Sequence, residues 1–138
     1  MLIAKFNVFV EKKGVYYVAR IYDTVEAMNA AIKKAMFADD DCIARCTSYD
    51  KISPDGKYSQ EIGTVWFNQQ NIGVGTVSHE FLHATFHWAE KVGLMDGLVS
   101  ELKEMTVDNS IEERLCYAHG WMVKDFVSKC YNRKLYKN

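Results

Sequence analysis

The stretch Ile62–Val92, IGTVWFNQQNIGVGTVSHEFLHATFHWAEKV, decides the reading of this chain. Its first seven residues, Ile62–Asn68, are mostly β-branched or aromatic and predict a strand. Gln69–Gly75 carries two glycines and predicts a loop. From about Thr76 to Val92 the apolar residues recur at helical spacing, and Gly93 supplies a stop. With His79 at zero on a helical wheel, Phe81, Leu82, Thr85, Phe86, Trp88, Ala89 and Val92 fill one broad arc. His79, Glu80, His83 and His87 share the opposite arc.

That second arc contains His79-Glu80-Phe81-Leu82-His83, an HExxH pattern. Two histidines four apart on a helix lie one turn apart on nearly the same face, so their imidazoles can converge on one zinc ion. Glu80 sits roughly 100° round the helix from His79. It flanks the ion instead of binding it, which is where a general base for water attack belongs. The alternative for this arc is a solvated polar face.

A catalytic zinc takes three protein ligands. His87 lies about 12 Å along a continuous helix from His79, and no glycine stands between His83 and His87 to break it. His87 therefore reads as a rim residue, with Glu90 as a partner. The third ligand is expected from the last helix, which starts near Asn109 or Ser110 and runs to about Tyr131. Its first turn holds Glu112 and Glu113. A capping box can form as Asn109 with Glu112 or as Ser110 with Glu113. The first register leaves Glu113 free, and we take Glu113 over Glu112 as the zinc ligand. Tyr117, one turn on from Glu113, is a candidate hydrogen-bond donor to a developing oxyanion, or else a half-buried core tyrosine. His119 falls off that face and reads as a surface or packing residue.

Upstream, Leu2–Val10 and Val15–Tyr22 predict an antiparallel hairpin turning through Glu11–Gly14. Asp23 with Glu26 predicts a capping box for a helix whose apolar stripe is Val25, Met28, Ile32, Ala35 and Met36. Cys42–Ile52 predicts a third strand, and Ser53-Pro54-Asp55-Gly56 a turn. Leu94–Asp108 is ambiguous, with helix expected around Val99–Met105. Strands first and helices second imply an α+β fold: an antiparallel sheet of about four strands, an early helix, and two C-terminal helices carrying the metal site. One domain over 1–138 is expected, mainly β-sheet with one helix over 1–70 and a helical metal-site half over 71–138. The Ile62–Asn68 strand, just upstream of the motif, is a candidate edge strand for pairing with an extended peptide.

Composition narrows the function. Half the residues are apolar and 25% are charged, with 17 basic against 18 acidic side chains. The net charge of −1 disfavours a nucleic-acid partner. No stretch approaches the roughly 20 apolar residues of a membrane span. The N-terminus is not a secretory signal, since Lys5 breaks its apolar run. The four cysteines, Cys42, Cys46, Cys116 and Cys130, form no CxxC pair, so reduced thiols in a cytoplasm are expected.

The run Thr64–Asn68 followed by Val77–His83 resembles the gluzincin type of zinc metallopeptidase. Ile111–Trp121 is similar to the second helix of small bacteriophage-encoded HExxH proteins, where a glutamate precedes an A-Y-x-x-G run. Here Cys116 stands at the alanine position, followed by Tyr117 and Gly120. The resemblance spans roughly residues 62 to 125 and implies a minimal zincin-like fold. It implies His79, His83 and Glu113 as zinc ligands and Glu80 as catalytic base. The expected activity is a zinc-dependent peptidase acting on an extended segment of a protein, with a bacterial host protein among the candidates and the host cytoplasm as its location. The alternative is a phage or mobile-element interaction or inhibitor protein that keeps the scaffold without turnover.

Overall fold

The chain begins with two strands, β1 (Leu2–Phe9) and β2 (Tyr16–Tyr22), paired antiparallel. Gly14 adopts φ 105°, a conformation open to glycine at little cost, and the Val10 amide closes the turn on the Val15 carbonyl at 3.1 Å. The structure, a computed structural model, describes residues 1–11, 14–37, 40–49, 60–104 and 110–136. The expected Ser53–Gly56 turn and the Asn109 cap lie outside them.

Helix α1 (Val25–Met36) is capped by Thr24, whose hydroxyl accepts from the Ala27 amide at 3.1 Å. Asp23, expected in a capping box with Glu26, instead receives the N-terminal amine at 2.6 Å and the Thr24 amide at 2.9 Å. Strand β3 (Arg45–Ser48) begins three residues later than the expected Cys42–Ile52, of which residues 50–52 lie outside the described ones, and β4 (Glu61–Asn68) follows it. Three helices complete the chain: α2 (Val74–Lys91), α3 (Met95–Glu104) and α4 (Ser110–Asn132).

The fold is α+β, and the sheet runs β1-β2-β4-β3. β4 pairs parallel to β2 and antiparallel to β3, so the sheet is mixed where an antiparallel one was expected. The reason lies in the crossover: α1 carries the chain past one strand position, β3 lands at the far edge, and β4 returns into the gap. β4 is therefore an interior strand, and the edge beside α2 is β3. That corrects the expected role of Ile62–Asn68 as the peptide-pairing edge.

Alternation along the strands splits the sheet's two faces. Tyr22 and Trp66 pack on one face with Met28 and Ile32 of α1. Phe6, Val8, Tyr17, Val65 and Phe67 pack on the other against α2 and α4. Phe126 of α4 is the hub of that larger core, with ring centroids 4.7 Å from Phe67, 5.3 Å from Phe81 and 5.7 Å from Phe6. Among the described residues, no helix is long and apolar enough to cross a membrane.

Candidate metal centre

Helix α2 is continuous through all three of its histidines, as the absence of an internal glycine predicts. It ends where Gly93, at φ 78°, lets the Leu94 amide bond back to the Ala89 carbonyl at 2.8 Å. Phe81, Thr85, Trp88 and Ala89 are buried on its inner side, while His79 and His83 are exposed. Leu82 and Phe86, grouped with the apolar arc, remain 45% and 44% exposed and line a cavity of about 310 Å³ against α3 and α4.

The imidazoles of His79 and His83 face each other, Nε2 to Nε2, at 3.2 Å. Two nitrogens bound to one tetrahedral zinc at about 2.0–2.1 Å would stand about 3.3 Å apart. The pair thus has the spacing of two zinc ligands. A Glu80 carboxylate oxygen lies 4.0 Å from His79 Nε2, close enough to share one water with an ion there.

Glu80 is buried, only 7% exposed, although its neighbours in the motif are open to solvent. It lies against β3. Tyr49 donates its amide to the Ile62 carbonyl of β4, so alternation turns the Cys46 backbone to the outer side of the edge strand. There the Cys46 backbone donates to the Glu80 carboxylate. Burial pushes the Glu80 carboxyl above its ordinary range. The charges of His79, His83 and Arg45 and the Cys46 bond pull in the opposite direction.

His87 does not take Glu90 as its hydrogen-bond partner. Its Nδ1 lies 2.9 Å from Ser48 Oγ on β3, Ser48 Oγ lies 3.0 Å from Tyr17 Oη, and Tyr17 Oη donates to the Ala84 carbonyl at 3.1 Å. A carbonyl only accepts, so the single tyrosine proton goes to Ala84. The Ser48 proton then goes to Tyr17, and His87 Nδ1–H donates to Ser48. Every bond in the chain has one direction, and His87 is left with its lone pair on Nε2. Burial, aided by the neighbouring His83, lowers the His87 pKa and favours this neutral ring. Gly63 makes the arrangement possible, since a Cβ there would strike the Tyr17 ring and the Thr47 carbonyl.

Glu113 and Tyr117 do not join the imidazoles. On α4 the buried residues are Leu115, Ala118, Met122, Phe126 and Cys130. Glu113 lies roughly 160° round the helix from Leu115, and it is exposed with Tyr117, Gly120 and Tyr131. Its surroundings are a separate cavity shared with Val10, Glu11 and Trp121. Among the described residues, no three His, Cys, Asp or Glu side chains stand close enough to hold an ion together. Glu101 of α3 reaches the start of α4, where it accepts from the Ile111 and Glu112 amides at 2.9 and 3.1 Å.

The flank of α4 turned to α2 carries Glu112, Cys116 and His119, which line the cavity with Leu82 and Phe86. His119 Nε2 lies 3.2 Å from the Ser78 carbonyl, next to His79 in the chain. Ser48 and His119 are the residues the motif did not reveal. The apolar series on α4 carried a signal for His119, since it lies roughly 40° from Leu115. Nothing local pointed to Ser48. No family model matches the chain, and neither a curated protein nor a solved structure matches it.

Proposed function

We propose that the chain is a zinc-dependent peptidase that hydrolyses a peptide bond in a protein substrate, with a bacterial host protein as one candidate. The observation that carries this reading is the 3.2 Å approach of His79 and His83 Nε2, the spacing two zinc ligands require. When bound there, zinc would polarise the scissile carbonyl and activate water.

The chain's own groups supply the rest. Glu80 is the base: its carboxyl, raised by burial, is suited to take a proton from water and return it to the leaving amine. The Cys46 bond fixes its orientation. The outer edge of β3 runs beside Glu80 and His87; Glu80 takes its Cys46 amide, and an extended peptide can add along the rest of such an edge by backbone hydrogen bonds.

Wild type and Glu80→Gln, each assayed against a denatured bacterial proteome with zinc supplied, test this. We expect cleavage by wild type, and none by the variant while it retains zinc. Equal cleavage by both removes Glu80 from catalysis, and absence of cleavage by wild type contradicts the peptidase.

The separation of Glu113 and Tyr117 from the imidazoles favours a second reading, an interaction or inhibitor protein without turnover. In that case Glu80→Gln would keep the full biological effect.

A further inference from the structure

One face of α4 is turned away from the core, and we propose that it pairs with the same face of a second copy of this chain. The face carries Glu113, Tyr117, Gly120 and Lys124, all exposed. They fall within roughly 60° of one another round the helix, on the side opposite the buried Leu115, Met122 and Phe126. The proposal does not rest on the zinc reading, since Glu113 and Tyr117 stand apart from His79 and His83.

This face holds a projection and a gap. Tyr117 is 74% exposed, a large aromatic side chain standing in water at mid-helix. At Gly120 a Cβ would meet nothing within 4 Å among the described residues, so the gap opens to the outside. Packing within the chain therefore does not require glycine there, and glycine in a helix interior weakens the helix. The gap belongs to an open cavity of about 620 Å³, walled also by Val10, Ala118 and Trp121. A tyrosine from a facing helix fits such a space as a knob fits a hole.

The charges follow the same symmetry. Successive residues of the face are four, three and four positions apart, symmetric about the point between Ala118 and His119. In an antiparallel pair with its two-fold axis at that point, Tyr117 of each copy meets the partner's Gly120, and Glu113 meets the partner's Lys124. Lys124 lies over the Trp121 ring at 5.8 Å, beside the cavity. Glu113 has no ion-pair partner within the chain among the described residues, while the adjacent Arg114 is taken by Glu11 at 3.0 Å. A two-fold contact needs one surface complementary to itself in shape and in charge, and this face meets both conditions. The paired segment is about three helical turns, at the small end of interface sizes, so the dimer forms reversibly.

Sedimentation velocity of the full chain tests this over a concentration series reaching about 1 mM. Reducing conditions keep the exposed Cys116 from cross-linking. The variants are Gly120→Leu, Glu113→Lys, Lys124→Glu and the double charge swap. We expect wild type to pass from monomer to dimer within the series. Gly120→Leu fills the gap and should stay monomeric throughout. Its fold is checked by its melting temperature, which should not fall, because a Cβ there meets nothing and leucine suits a helix better than glycine. Each single charge variant sets like charges against each other at both symmetry-related contacts and should weaken dimerisation about tenfold. The double swap restores opposite charges and should return to within about threefold of wild type. Wild type monomeric at the highest concentration, Gly120→Leu dimerising like wild type, or a double swap no tighter than either single variant would overturn the proposal.

Discussion

At the scale of single residues, Glu80 combines two roles that work against each other. It is a carboxylate removed from water, and it is the acceptor for an outward-facing amide of the edge strand. Its folded-state pKa is raised by burial, so the folded chain holds this proton at pH values where the unfolded chain has released it. Stability is therefore lost as pH rises from the ordinary glutamate value of about 4.3 through the raised one. In chelator-treated protein, Glu80→Gln should be more stable than wild type at pH 7, and the difference should vanish near pH 4. Urea melts at both pH values measure this, and a variant less stable at pH 7 would contradict it. His87 makes a second prediction. In ¹⁵N spectra of the neutral ring, wild type should be the Nδ1–H tautomer. Tyr17→Phe frees the Ser48 hydroxyl and should move the population toward Nε2–H. An Nε2–H ring in wild type would refute the directed chain. The HExxH spacing was fully legible in the sequence because it depends on one helix. The burial of Glu80 and the Ser48–His87 bond were not, because both depend on β3, more than thirty residues upstream in the chain.

At the scale of elements, α4 starts at Ser110, within the expected bounds, while its apolar series sets which side faces the core. Glu112 and Glu113 both suited a local capping box, and the choice between them was made on that ground. Two first-turn amides of the helix bond to Glu101, about ten residues back on α3, a partner that local rules do not reach. Glu101→Ala should cost about 1 kcal/mol, in the range of a lost N-cap. Hydrogen exchange should show the loss first in the amides of Ile111 and Glu112; unchanged protection there would mean that the cap contributes nothing. The apolar series Leu115, Met122, Phe126 was the better guide to orientation, and it turns Glu113 outward. The boundaries of β1, β2, α2 and α4 were close to legible, because each has a strong period and a marked end. α3 begins at Met95, earlier than its sequence suggested, since contacts with α2 and α4 override a weak local pattern.

At the scale of the whole molecule, the α+β class followed from the order of the patterns along the chain. The parallel pairing of β2 with β4 did not, because strand order is set by where α1 lets the chain return. The core that holds α2 and α4 on the sheet centres on Phe126, which is completely buried. Phe126→Ala should cost about 3–5 kcal/mol, and it should weaken zinc binding only through loss of fold. A loss below 1 kcal/mol would place the centre of the core elsewhere. The claim on which the function depends is that the His79–His83 pair grips an ion. X-ray absorption at the zinc edge, on wild-type protein loaded with one equivalent of zinc and passed through gel filtration, tests it most directly. The account predicts retained zinc with at least two imidazole nitrogens at about 2.0–2.1 Å. Zinc lost on the column, or an oxygen-only shell, would contradict it.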